Sequence, residues 1–432
     1  MIAKTRKIAD TKKALGERPT IRYVDPDYVY IAMANARCPK AELFIKEGDH
    51  VNLCQLIGMR HAAFFDQPIH ATVSGTFIGL EKHYHRMGKM TDFIKIENDH
   101  KETLDPSCKE RSDEEIANLT QQDMVQILKD AALVGLGGSS FPTYVKLSTD
   151  KPIHTILVNA IECEPYISTD HRIMVEYPER ICEGIRYVMN VFHAEKAYIC
   201  IKSKYKDLHA LYSDILSKYP GIEIKDVGNF YPQGWEIAMI KSALGVTVEP
   251  GHLPPEYGIL NFNVSTAAGI YEAVKHNRPV TERNISITGD GIVTPTNLRI
   301  KVGTSVRSII EKCGGYKNPE LPKVFVLGGP MMGESLPSDD AICTKTVTSV
   351  IVENQVDYIE EPCVRCGSCT LSCPVGLEPV QIMNAVKTLD KDRIKALKPL
   401  NCIECGLCTY SCTSKIKVTD YVRKAKIFAK LP

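Results

Sequence analysis

Cys363-Val-Arg-Cys366-Gly-Ser-Cys369-Thr-Leu-Ser-Cys373-Pro374 is answered further on by Cys402-Ile-Glu-Cys405-Gly-Leu-Cys408-Thr-Tyr-Ser-Cys412-Thr413. Two C-x2-C-x2-C-x3-C runs are the pattern that holds two [4Fe–4S] clusters. A cubane offers one iron to each of four thiolates. Closely spaced cysteines wrap three corners, while the fourth of each run reaches the other cluster. The spacing therefore assigns Cys363, Cys366, Cys369 and Cys412 to one cluster, and Cys402, Cys405, Cys408 and Cys373 to the other. Zinc sites built on C-x2-C come as two pairs, not as triplets with a trailing cysteine. Gly367 and Gly406 follow the second cysteine of each run and let backbone amides approach sulfur. Thr413 stands where the first copy has Pro374, so the second turn is less constrained.

These runs take half of the 16 cysteines in a chain of 432 residues. Of the rest, Cys163 lies in an acidic segment described below. Cys38, Cys54, Cys108, Cys182, Cys200, Cys313 and Cys343 have no metal spacing and read as core thiols. Lys and Arg number 53 against 52 Asp and Glu, so no global charge draws the chain to nucleic acid. No apolar run approaches the roughly 18 residues that span a bilayer. The basic, polar stretch Met1–Thr20 lacks the apolar core of a secretory signal. A cytosolic setting follows, and there clustered cysteines point to metal or redox cofactor rather than disulfides.

The length predicts several domains. From Tyr28 to Asn98, short apolar stretches alternate with turns such as Lys46-Glu-Gly-Asp49, predicting a small all-β module. Its charged run Glu81-Lys-His83-Tyr-His85-Arg86 reads as a solvated face, with neither histidine catalytic. Residues 99–118 read as a linker leading into a helix. From Gln121 to Asn284 helical patterns alternate with buried strands at Ile153–Asn159 and Ala197–Ile201, predicting an α/β domain with a largely parallel sheet. Ile285 to Glu353 reads as short strands with one helix at Val306–Cys313, and the amphipathic Val380–Leu397 stretch predicts helices between the cysteine runs.

Gly135-Leu-Gly-Gly-Ser-Ser-Phe-Pro-Thr143, with Lys146 just beyond, fails G-x-G-x-x-G because Ser140 holds its last position. Free backbone amides, hydroxyls and a nearby cation still suit a phosphate or a flavin. About twenty residues on, Val158-Asn-Ala-Ile-Glu-Cys-Glu-Pro-Tyr166 ends a buried strand in Asn159, Glu162 and Glu164, with Asp170-His-Arg172 beyond. Amide and carboxylate groups thus stand at the carboxyl edge of the sheet, where α/β proteins bind ligands.

These two segments, with Tyr231-Pro-Gln-Gly-Trp-Glu236 and Asn263-Val-Ser-Thr266, resemble the RnfC component of Rnf-type electron transport complexes, the ferredoxin:NAD oxidoreductases. More distantly they are similar to the flavoprotein subunit of respiratory complex I. The resemblance runs from about Asp25 to the C-terminus. It implies a multidomain α/β plus β chain with four modules. These are a barrel-sandwich (lipoyl-like) hybrid at 25–100, an FMN/NADH-binding α/β domain at 120–284, a β-grasp (SLBB) module at 285–355 and an α-helical two-cluster ferredoxin domain at 356–432. No lysine sits in a lipoyl- or biotin-attachment context, so no swinging arm is expected. The resemblance implies that Gly135, Gly137, Gly138 and Lys146 cradle the FMN phosphate and ribityl chain, and that Asn159 and Glu162 contact the flavin. Asn263 and Thr266 close that pocket, Tyr231, Gly234 and Glu236 line it, and Phe141 and Glu164 face the nicotinamide. Leu136 replaces an arginine of the complex I relative, and Thr149 replaces a phenylalanine over the nucleotide. Trp235 covers the flavin or simply packs.

A hydride carries two electrons and a cluster accepts one, and a flavin converts between them. The expected activity is an NADH-dependent oxidoreductase passing electrons between NAD(H), FMN and two [4Fe–4S] clusters, in either direction. Glu164 is the expected positioning group for the nicotinamide. The expected setting is the inner face of the cell membrane, within a complex coupled to ferredoxin and ion transport through other subunits. Two alternatives are a soluble relative feeding a dedicated amino-acid or cobalamin reductase, and an iron–sulfur wire without flavin.

Overall fold

The structure is a computed structural model that describes residues 7–8, 12–35, 37–63, 65–249 and 251–431. Of Met1–Thr20, the stretch without a signal-like apolar core, residues 1–6 and 9–11 lie outside these residues.

Strands Tyr28–Ala32, Lys89–Asn98, Gly75–His85 and His50–Val51 form an antiparallel sheet in that order, and Lys40–Leu43, Leu56–His61 and Asp66–His70 form a second. Alternating residues Val29, Ile31, Ile57, Ile69, Phe77, Ile94 and Ile96 fill the space between them. The long hairpin Gly75–His85/Lys89–Asn98 continues past this core and pairs at Tyr84 with Ala341 of a later module. That contact corrects the reading of His83 and His85 as a solvated face: they are 8% and 5% exposed. Both stand on the inward side of the strand, with Phe93 beside them, and His83 Nδ1 lies 2.5 Å from Asp340 Oδ1. Burial pushes His85 down to about 4, so it is neutral at pH 7.

The α/β domain has four strands, all parallel, in the order Ile222–Val227, Lys196–Lys202, Thr155–Asn159, Ile259–Asn263. Its strands are apolar on both faces: Ile156 and Val158 pack into one layer of helices and Leu157 into the other. The chain steps outward from Thr155–Asn159 to Ile222–Val227, then returns to place Ile259–Asn263 on the opposite side of Thr155–Asn159. Such a reversal opens a crevice at the carboxyl ends of the two strands. Their last residues are Asn159 and Asn263.

A six-stranded mixed sheet follows, ordered Thr20–Tyr23, Thr296–Lys301, Glu282–Thr288, Ser349–Asn354, Lys323–Leu327, Glu334–Leu336. Helix Val306–Lys312 buries Val306, Ile309 and Ile310 against it. The sheet's first strand comes from the N-terminal stretch, which pairs in parallel with Thr296–Lys301 across the whole chain. The tail is helical, and Pro379–Lys387, Lys391–Ala396 and Val418–Lys430 pack through Ile382, Val386, Ile394, Val422 and Ala425. Cys38, Cys54, Cys182, Cys200, Cys313 and Cys343 are buried thiols as expected, while Cys108 is partly exposed.

Candidate functional site

The crevice is closed by Asn263. Its Nδ2 donates to the Asn159 carbonyl (3.2 Å) and to Asp170 Oδ2 (2.8 Å), and Ser265 Oγ donates to Asp170 Oδ1 (2.9 Å). Asn159 Nδ2 in turn donates to the Gly234 carbonyl at 2.8 Å. The glycine-rich loop folds back on itself, Gly135 N–H donating to the Phe141 carbonyl at 2.8 Å. It is pinned from behind by Leu136 N–H donating to Thr266 Oγ1 (3.0 Å). A side chain at Gly137 would begin 2.8 Å from the Asn263 amide, so the loop and the helix at Asn263 approach more closely than a Cβ allows. The Gly138 carbonyl lies 3.4 Å from Arg86 Nη1, and the Arg37 guanidinium stands 5.3 Å over the Phe141 ring. Lys146 Nζ bridges Glu236 Oε2 (3.5 Å) and the Asn261 carbonyl (3.1 Å). Gly135, Gly137, Gly138, Lys146, Asn159, Gly234, Glu236, Asn263 and Thr266 are thus brought into one neighbourhood, though they span four chain segments.

The acidic segment divides. Glu162 adopts a positive φ of 42° and turns inward, accepting from the Asp170 N–H at 2.7 Å. Burial pushes it up to about 7 against the pull of Lys12 and Lys202, whose ammonium groups donate to its backbone carbonyl. Its Oε2 has no hydrogen-bond partner among the described residues, though Lys12 Nζ is 3.9 Å away. Glu164, two residues on, is half-buried and turned toward the β-grasp. It accepts from Met331 N–H at 3.0 Å, and burial pushes it up to about 7 as well. Gly329 leaves it room, since a Cβ there would fall 2.3 Å from the carboxylate. Tyr231 is fully buried, and its hydroxyl lies 3.5 Å from Glu164 Oε1 and donates to the Cys405 carbonyl at 2.7 Å. Thr149, partly buried, and Leu136, packed in the core, leave no cation or aromatic at those two positions.

Cys373, Cys402, Cys405 and Cys408 line one apolar cavity in the tail, with Pro374, Leu377 and Val422. Backbone N–H groups aim at the sulfurs: Leu377 to Cys373 (3.3 Å), Glu404 to Cys402 (3.3 Å) and Ile416 to Cys412 (3.4 Å). The two runs are structural copies. Arg365 and Glu404 both have φ 56°, and Gly367 (φ 74°) and Gly406 (φ 76°) both open a single helical turn. Ser411 Oγ donates to Ser372 Oγ (2.9 Å) between the copies. Cys363 and Cys366 are exposed and Cys369 and Cys412 half-buried, whereas Cys373, Cys405 and Cys408 are buried. Among the described residues no three His, Cys, Asp or Glu side chains converge on a single ion.

The residues fit the groups the sequence implies. A loop and helix too close for a Cβ, an adjacent ammonium, and a buried carboxylate oxygen left open suit a flavin phosphate and ring. Thiols around a cavity with amides aimed at sulfur suit a cluster. Lys12, Asp170, Lys202, Arg283 and Met331 are not legible in the sequence as site residues: Asp170 stands beside the acidic segment with no role of its own, and the others lie outside any motif.

The matching family models are the Nuo51 FMN-binding domain (residues 128–272), the RnfC barrel sandwich hybrid domain (6–101), the SLBB domain (284–335) and the 4Fe-4S dicluster domain (355–413). The RnfC-type component of the Na(+)-translocating ferredoxin:NAD(+) oxidoreductase complex of Acetobacterium woodii is 31% identical over 86% of this chain and 84% of its own length. Its counterpart in the proton-translocating ferredoxin:NAD(+) oxidoreductase complex of Clostridium ljungdahlii is 33% identical over 96% of this chain and 91% of its own. The counterpart in the ion-translocating oxidoreductase complex of Haemophilus influenzae is 31% identical over 82% of this chain, which spans 54% of that relative. A chain of an NAD+-reducing [NiFe]-hydrogenase shares the fold, with TM-score 0.51 at 18% identity over 71% of this chain and 61% of that one. The four modules, their order and this coverage place the chain in the RnfC family, components of ion-translocating ferredoxin:NAD(+) oxidoreductase complexes.

Proposed function

We propose that this chain relays electrons between NAD(H) and a protein partner, through FMN in the strand-end crevice and two [4Fe–4S] clusters in the tail. Its setting is a peripheral position on the inner face of the membrane, in a complex of the kind its relatives are named for. Among the described residues no helix is long and apolar enough to cross a membrane. When bound, FMN exchanges hydride with nicotinamide and single electrons with clusters.

One observation carries the reading. The short segment Tyr231–Trp235 touches both centres: Gly234 accepts from Asn159 in the crevice, and Tyr231 donates to the Cys405 carbonyl beside the buried cysteine set. Lys146 and the amides of the Gly135 loop would hold the phosphate. Asn159, Glu162 and Asn263 would set the ring, and Trp235, half-buried at the start of helix Glu236–Leu244, would flank it. Phe141 and Glu164 stand for the nicotinamide side, with Glu164 as a positioning residue held by Met331. Burial then orders the clusters. The set Cys373, Cys402, Cys405 and Cys408 lies next to the crevice, and the exposed set Cys363, Cys366, Cys369 and Cys412 faces the partner.

Anaerobic purification tests this. The chain should carry about eight irons, two cubanes of four, with extractable FMN, and NADH should bleach the cluster absorbance. Full iron with no flavin and no bleaching would leave only the electron-wire reading. Co-purification with membrane subunits supports the complex; recovery with a lone reductase supports the soluble alternative.

A further inference from the structure

A cleft of about 300 Å³ opens where the barrel-sandwich hybrid, the α/β domain and the β-grasp meet. Helix Val264–His276 separates it from the flavin crevice and presents Ser265, Ala268, Gly269 and Glu272 to it, one continuous helical face. Five arginines line the cleft (Arg22, Arg180, Arg278, Arg283 and Arg299) against three glutamates. Those glutamates are already engaged. Glu102 pairs with Arg22 at 3.7 Å, Glu272 with Arg180 at 2.8 Å and Glu282 with Arg299 at 2.5 Å. Lys301 adds a further ammonium to Glu102 (2.6 Å) and Glu282 (2.9 Å). Arg278 and Arg283 have no ion pair within 4 Å among the described residues, although the Asp170 carboxylate lies near enough to act on Arg283.

Arg283 is 4% exposed and Asn284 7% exposed. Arg283 Nη2 donates to the Leu136 carbonyl at 2.9 Å, but Arg283 Nε and Asn284 Nδ2 have no partner among the described residues. Burial lowers Arg283 only to about 10, so it stays charged near neutrality. A buried guanidinium with an open N–H, a buried amide with an open donor and an exposed guanidinium at the mouth all ask for an acceptor of negative charge. The planar fork of arginine matches phosphate in two-point contacts. Tyr177, Leu104 and Val280 supply an apolar wall for an organic portion, and the volume suits a small-molecule ligand.

We propose that this cleft binds a small organic phosphate, its phosphate oxygens received by Arg278, Arg283 and Asn284. The site also reaches the flavin loop. Arg283 holds the Leu136 carbonyl, and the Leu136 N–H is held by Thr266, so a ligand drawing on Arg283 acts on the loop that cradles the flavin phosphate. That coupling rests on the flavin reading above; the binding itself does not.

The test is calorimetric titration of the FMN- and cluster-loaded chain, anaerobically at low salt, with inorganic pyrophosphate. Saturable one-to-one binding is expected, weakened about tenfold or more in Arg278→Gln by loss of a charge-assisted contact, with iron and FMN content unchanged. Arg283→Lys, which keeps the charge and loses the fork, should weaken binding as well. If that buried variant does not fold, Arg278→Gln decides. No saturable binding, or Arg278→Gln binding as the parent does, overturns the proposal. So does loss of binding in Lys146→Gln with none in Arg278→Gln, which would put the probe in the flavin crevice. Citrate binding as tightly as pyrophosphate overturns the phosphate assignment.

Discussion

At Glu164 a carboxylate that the sequence places at a strand end turns out to be held between its own domain and the β-grasp, by Tyr231 and Met331. Burial raises it from 4.5 to about 7, so the folded chain keeps a proton that the unfolded chain releases. Stability therefore falls as pH rises between about 4.5 and 7. Glu164→Gln removes that linkage, so the loss of unfolding free energy over this window should shrink by about 1–3 kcal/mol, read as a flatter dependence of melting temperature on pH. Glu162 and Asp170, raised by the same cause, add to this slope, while His70 and His85, pushed down by burial, oppose it. An unaltered slope would acquit Glu164. The same variant should keep its FMN and lose NADH oxidation; undiminished turnover takes Glu164 out of the nicotinamide site. Tyr231→Phe is a finer probe, because it deletes only the hydroxyl that donates to the Cys405 carbonyl at 2.7 Å. A cost of about 1 kcal/mol and slower NADH-driven cluster reduction at constant flavin are expected, and an unchanged reduction rate would show that this contact does not serve the relay.

Among the elements, the cysteine runs are the most legible in the sequence, since each run's geometry is local. A two-residue spacing, a left-handed glycine and one helical turn repeat in both copies with nearly equal dihedrals. What spacing cannot say is which set faces the crevice. The structure buries the Cys405 set against Tyr231 and exposes Cys363 and Cys366. Cys405→Ala should bring iron from about eight to about four and abolish NADH-driven reduction of what remains. Cys366→Ala should leave the crevice-side cluster reducible and block transfer to the partner. The electron paramagnetic resonance of each reduced variant separates the cases, and equal loss of both clusters in both variants would mean that the tail folds only when fully loaded. The long hairpin Gly75–His85/Lys89–Asn98 is legible as strands, but not as buried at His83 and His85. Period-two alternation tells which residues share a face, not whether a later module covers it.

Across the whole molecule, the N-terminal stretch joins what lies furthest apart in sequence. Thr20–Tyr23 forms the edge of the β-grasp sheet, and Lys12 reaches Glu162 behind the crevice. Removing residues 1–24 should lower the melting temperature by about 3 °C or more and weaken flavin retention, measured as FMN per chain after gel filtration. A truncated chain that melts and binds like the parent would show this strap to be idle. By itself the sequence determined the paired cysteine runs, the parallel sheet and the strand-end carboxylates, because each is written in spacing or periodicity over a few neighbouring residues. Only the tertiary structure decided that Asn263 closes on Asn159, that Tyr231 meets Cys405, and that Arg283 is left charged in a cleft between modules. Those contacts join residues about one hundred or more positions apart, and their partners are set by how whole sheets and helices bury their apolar faces, a choice no local pattern encodes.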